Sequence, residues 1–106
     1  MAFNENIRNI LITEFADNVG RVALLDNNGQ VIDVPKSISW STGAIADGKV
    51  DIFSDITFNV PENTIVKSYE LESDGGTSSF GVFDFATTYS FTNQGTFTFE
   101  SLEVSI

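Results

Sequence analysis

The chain has 106 residues, enough for one domain around a single core. It contains no cysteine and no histidine, which excludes disulfides, thiolate metal sites and histidine-based acid–base catalysis. Five basic residues face fifteen acidic ones, and a net charge of −10 argues against direct binding to nucleic acid or to anionic membranes.

Phe3, Ile7, Leu11 and Phe15 are spaced by four, with Ile10 beside them. That spacing predicts a helix over residues 4–16 with one apolar face. Asn4 or Asn6 suits its start, and Asp17-Asn18 with Gly20 offers an exit. The apolar face is expected to pack on the body, with a neighbouring subunit as its other possible use. Residues 19–26 read as a first strand, Arg21-Val22-Ala23-Leu24-Leu25 being nearly continuously apolar. Asn27-Asn28-Gly29 predicts a hairpin turn of type I′, and residues 30–34 return from it. Pro35 is expected to break the ladder. A short strand over residues 37–41 ends near Trp40, the single tryptophan, read as a core anchor.

Residues 49–53 read as a strand with Val50 and Ile52 on one face. The stretch 56–71 predicts a central hairpin. Ile56, Phe58 and Val60 point inward, Pro61 ends that strand, and Pro61-Glu62-Asn63-Thr64 turns. Ile65, Tyr69 and Leu71 resume the alternation, with Lys67 the polar exception on their face. Residues 73–79 read as a flexible loop. Residues 80–85 and 88–91 follow as strands, Phe83 and Phe85 sharing a face. After a turn at residues 93–96, Phe97-Thr98-Phe99 leads to a closing strand with Leu102, Val104 and Ile106 inward.

About eight short strands after one helix, with turns every 8–12 residues, predict a mainly β protein. The expected fold is a single jelly-roll-like antiparallel β-sandwich with a short N-terminal helix. Residues 1–18 form the helical arm and 19–106 the sandwich, one domain in total. Ten phenylalanines fit an aromatic core. The expected core anchors are Trp40, Ile56, Phe58, Val60, Leu102 and Val104.

No residue set rises to a catalytic, metal or cofactor site. Asp26-Asn27-Asn28-Gly29 lacks the spacing of a calcium loop and reads as a turn. Asp47, Asp51 and Asp55 are four apart and read as a solvated face, too spread along one strand to share a cation. Among the aromatics, Trp40, Tyr69 and Tyr89 are the candidates for stacking on a sugar, and Tyr89 is the best exposed. The N-terminus carries neither a basic flank nor an apolar run of signal-peptide type, so synthesis in a cytoplasm is expected.

Three pieces in order carry a resemblance. They are Ile38-Ser39-Trp40 followed by Gly43 and Ala44, then residues 56–66, then Ser101-Leu102-Glu103-Val104-Ser105-Ile106. Together they resemble small tailed-bacteriophage virion proteins of the tail-fibre or capsid-decoration type. The chain departs from that pattern before Trp40, where a compact Asn27-Asn28-Gly29 turn with Pro35 replaces a longer glycine-rich connection. The resemblance implies a jelly-roll-like fold and a non-catalytic, structural role on a virion. It implies other virion proteins as partners, either the major capsid protein or tail and baseplate proteins. A homotrimer or larger symmetric assembly is expected, with no nucleic acid and no membrane. The leading expectation is a capsid decoration (cement) protein. The alternative is a tail-fibre, tail-tip or baseplate module that binds a host-surface glycan. The candidate partner contacts are Phe3, Ile7, Leu11 and Tyr89.

Overall fold

Asn4 opens the first element by accepting a hydrogen bond from the Ile7 amide at 3.0 Å, so one otherwise unpaired N–H of the first turn is satisfied. The computed structural model describes residues 4–43 and 45–105. Helix α1 spans Glu5–Asn18. The strands follow as β1 (Arg21–Asp26), β2 (Val31–Ser37), β3 (Trp40–Ser41), β4 (Lys49–Ile52), β5 (Ile56–Val60), β6 (Thr64–Glu72), β7 (Ser79–Phe91), β8 (Gly95–Phe99) and β9 (Val104–Ser105). A short 3-10 turn, η1 (Ile45–Asp47), precedes β4.

The protein is mainly β, an antiparallel sandwich with one short N-terminal α-helix, as its sequence leads one to expect. One layer is a four-stranded sheet in the order β2-β1-β6-β7. The β5-β8 pair forms a second layer, and β3-β4-β9 forms a small third sheet. The layers share one core. Val22, Leu24, Val66 and Leu71 come from the large sheet, Phe58, Val60 and Phe99 from the β5-β8 pair, and Ile52 from β4. Alternation drives this closure, since Ile56, Phe58 and Val60 are buried while Thr57 and Asn59 are exposed.

The predicted central hairpin does not form. β5 pairs with β8 along its whole length, Ile56 opposite Phe99 through Val60 opposite Gly95. β6 is already paired on both sides, with β1 and with β7, and has no free edge for β5. The segment between them is a corner that changes sheets. Pro61 offers no N–H to a ladder, and Asn63 takes a left-handed φ of 58° to make the bend. The true hairpin is β6–β7. Its connection, expected to be a flexible loop, is closed by Ser73 N–H to Ser78 O at 2.9 Å and Gly76 N–H to Ser73 O at 2.8 Å.

Three further expectations change. The turn at Asn27-Asn28-Gly29 has positive φ only at Gly29, at 77°, so it is not type I′. Instead the Asp26 carboxylate accepts from the Asn28 and Gln30 amides at 2.8 and 2.9 Å, and Gly29 closes a three-residue loop. Pro35 does not end its strand. β2 is an edge strand, where a missing N–H is tolerated, and the ladder slips instead: Leu24 faces Ile32, while Val22 faces Lys36. Asp33 lies in that slip with φ 60°, and its carboxylate accepts from the Asn59 amide at 2.9 Å, tying β2 to β5. Finally, β6 changes phase at Lys67. Ser68 faces Asp84 and Val66 faces Tyr89, so residues 85–88 of β7 stand against Lys67 alone. Val66 is therefore buried and Ile65 exposed, the reverse of the expected pattern.

Candidate interaction surface

Helix α1 contributes the largest departure from its expected packing. Ile12 is fully buried, whereas Ile7, Ile10 and Leu11 are 43, 62 and 39 % exposed. Ile12 follows Leu11 by one residue and so lies about 100° around the helix. The face turned to the body thus carries Ile12 with half-buried Arg8, Asn9, Phe15 and Ala16, not the stripe of Ile7 and Leu11. That inner face is partly polar, and Arg8 Nε and Asn9 Oδ1 are buried without a hydrogen-bond partner among the described residues. The anchoring end is better built. Phe15 meets Trp40 edge-on at 5.5 Å between ring centres, and Trp40 Nε1–H donates to Val19 O at 2.8 Å.

The uncovered stripe borders a groove of about 470 Å3 between the C-terminal half of α1 and the start of β7. Leu11, Phe15, Val19 and Phe80 form its apolar wall, and Glu14 and Asn18 are its polar members. Phe80 is 44 % exposed. It lies where the ladder slips, Leu71 facing Gly81 and Glu72 facing Ser79, and stands on the opposite phase to Phe83 and Phe85. The sequence signal was an extra aromatic residue off the phase shared by Phe83 and Phe85, but nothing in it points to a helix 60 to 70 positions earlier.

Phe83 and Phe85 do share a face, as expected. They join Tyr69, Phe97 and Phe99 in one aromatic cluster, with Tyr69 stacked on Phe83 at 5.5 Å and Phe85 tilted against Phe97 at 5.2 Å. Burial raises the Tyr69 hydroxyl above its ordinary pKa. Tyr69 is half-buried and packs against the core, its ring also met by Phe85 and Phe99 at 5.2 and 5.6 Å. Tyr89 is 45 % exposed, but its ring is met edge-on by Phe85 and Phe97 at 5.7 and 5.4 Å.

The structure does not gather Ile7, Leu11 and Tyr89 into one patch. Ile7 and Leu11 share the α1 flank. Gly81 lies opposite Leu71 and Tyr89 opposite Val66, five β6 residues or roughly 17 Å apart, so Tyr89 sits well along the sheet from Phe80. Phe3 lies outside the described residues, as do Ala44 and Ile106. Among the core anchors, Ile56, Phe58, Val60 and Leu102 are buried, while Trp40 and Val104 are half-buried. The two edges of the large sheet are poor templates for pairing. β2 carries Pro35 and the slip at Asp33, and β7 carries Gly81 and the bulge over residues 85–88.

Asp51 is not part of a solvated face. It is half-buried, and its carboxylate accepts from the amides of Leu102 and Ile52, both at 2.7 Å, and from the Ser101 hydroxyl at 3.0 Å. Burial works against its ionisation, but these three donors outweigh it and hold the carboxyl below its ordinary value. Asp33 is also held low, first by the Asn59 amide and then by Lys36, whose ammonium lies 3.1 Å away. Both acids are structural acceptors. Among the described residues no cluster of three or more acidic side chains is placed to hold a metal ion.

No protein-family model, curated protein or solved structure matches this chain.

Proposed function

We propose that this protein is a non-catalytic structural subunit of a tailed-bacteriophage virion, a capsid decoration protein that docks on the assembled head through α1. The observation that carries the reading is the apolar stripe of Ile7 and Leu11, uncovered on the flank of a helix whose inner face is held by Ile12. Burying such a stripe against a shell is favourable, each large aliphatic side chain being worth about 1.5–3 kcal/mol when fully buried. Shell sites repeat, so a contact of a few kcal/mol suffices when copies act together on a lattice. Symmetric assembly of trimers or larger units on the particle belongs to the same reading. The strongly acidic chain suits the outer side of a shell better than a wall facing packaged DNA. The virion assignment itself stands on the ordered sequence resemblance.

The glycan-binding alternative draws on Tyr89. Its ring is engaged by Phe85 and Phe97 and offers a sugar only part of its surface, so no observation favours that role over core packing.

Quantitative mass spectrometry of purified particles tests the proposal. Hundreds of copies per particle are expected, with added protein raising the melting temperature of empty shells. Three to a few dozen copies would place the protein on a tail, vertex or fibre and overturn the decoration role.

A further inference from the structure

The groove between α1 and β7 has an uneven character. Its wall is Leu11, Phe15, Val19 and Phe80, and no lysine or arginine is among the described residues that line it. Glu14 stands at its rim, where Asn18 Nδ2 donates to the Glu14 backbone carbonyl at 2.7 Å and reaches Glu14 Oε2 only at 3.5 Å. The helix ends here, so the negative end of its dipole points at this corner of the molecule. Helices are stabilised by cations at that end, yet the last turn of α1 has no basic residue and carries Asp17. Arg21, in the adjoining strand, is engaged by Glu72 at 2.8 Å, and its guanidinium lies against Gly76. An apolar slot is thus set beside Glu14 and the negative, base-free end of α1.

We propose that this groove docks a segment of a partner protein in which an aliphatic or aromatic anchor is flanked by lysine or arginine. The anchor fills the slot between Leu11, Phe15 and Phe80, and the cations meet Glu14 and the C-terminal end of α1. A second copy of this chain is a poor occupant. A two-fold contact would set two such acidic rims together in molecules of charge −10 each. The inference rests on the reading of α1 as a docking arm and adds the chemistry of what it docks.

Amide chemical shifts of the 15N-labelled full chain, titrated with three synthetic peptides, test it. The probes are Lys-Lys-Leu-Phe-Lys-Lys, Glu-Glu-Leu-Phe-Glu-Glu and Lys-Lys-Gly-Gly-Lys-Lys. Only the first is expected to give saturable shifts at Leu11, Phe15, Val19 and Phe80. Added salt should weaken it. Phe80→Ser should weaken it about tenfold or more, as for a central anchor, and Ile10→Ser should leave it unchanged. Phe80 is half-exposed, so the variant spectrum also reports that the fold is kept. Equal shifts from all three peptides, or shifts centred on Val31 and Val34 or on Tyr89, overturn the inference. So does a concentration-dependent dimer that Phe80→Ser abolishes, which would install a second copy in the groove. Loss of shell binding in Ile7→Ser without peptide shifts at the groove rejects this partner class and keeps the docking arm. Peptide docking at the groove, with shell binding unchanged in both Ile7→Ser and Phe80→Ser, keeps the groove and rejects the arm.

Discussion

Phe58 and Ile12 are both fully buried, in very different surroundings. Phe58 sits between layers, edge-on to Phe99 at 6.1 Å, with Val60 and Ile56 beside it on the same strand face and Lys36 over its ring at 5.8 Å. Its neighbours belong to strands whose ladders fix their positions. Ile12 sits outside that core, under a helix that touches chiefly η1 and β4. The groups beside it on α1 include Arg8 and Asn9, each with a buried polar atom unpaired among the described residues. Equal burial therefore need not mean equal cost of removal. Cavity cost depends on how rigid the surroundings are, and unpaired polar groups already subtract from what helix docking gains.

Phe58→Ala breaks the rigid side of this comparison. It should cost about 3–5 kcal/mol, read as a lower urea midpoint with an unchanged slope. An unchanged midpoint would mean that the β5-β8 layer is not the core. Ile12→Ala should cost less, about 2 kcal/mol, at the low end for a buried isoleucine. Its loss should also be local. Hydrogen exchange should quicken at α1 amides while those of β1 and β6 keep their protection. Equal quickening in both regions would show that helix and sandwich unfold as one unit.

The contrast also explains what could be read from the chain beforehand. Helix position, strand alternation at Ile56, Phe58 and Val60, and the shared face of Phe83 and Phe85 follow from local periodicity, and the structure agrees. The pairing of β5 was not local. Ile56-Thr57-Phe58-Asn59-Val60 and the following run have every mark of a hairpin, but partner choice depends on which edges β1 and β7 leave free. The α1 face failed for a related reason. Four apolar residues at helical spacing mark an apolar stripe, yet periodicity does not say whether the stripe or the adjoining Arg8, Asn9, Ile12 side meets the body. Phe80 completes the groove from a strand far along the chain, so no local window holds both halves. Asp51 looked like one of three spaced surface acids because its donors Ser101 and Leu102 lie 50 and 51 residues away.

Asp51 sharpens the comparison at an intermediate scale, since it pins the chain before β9 to β4. Asp51→Asn should cost about 1 kcal/mol at neutral pH, because charge-assisted acceptance from two amides and a hydroxyl becomes neutral. The folded pKa of Asp51 is depressed, so its contribution is complete above the unfolded value and is lost as pH falls through the folded one. The parent and the variant should therefore differ in urea midpoint at pH 7 and converge as the carboxylate is protonated. Asp33, held low in the same direction, adds to the acid sensitivity of both proteins and does not alter their difference. A gap that persists well below the carboxylate range would assign the loss to packing and not to charge.

The smallest effect on stability should come from the outer flank of α1. Ile7 and Ile10 are exposed and support no part of the described core. Replacing either with serine should change the folding free energy by no more than about 0.5 kcal/mol, the usual range for surface positions away from caps and cores. Serine has a lower helix propensity than isoleucine by little, so the helix itself is not at stake. For Ile7 the stability measurement has to be paired with binding to assembled shells. A variant with an unchanged urea midpoint and lost shell binding separates the two faces of one helix, the Ile12 side serving the fold and the Ile7 side serving a partner. A drop of 2 kcal/mol or so in Ile7→Ser would mean instead that the stripe is covered by this chain's own residues in solution. That result would remove the uncovered surface on which the docking role depends.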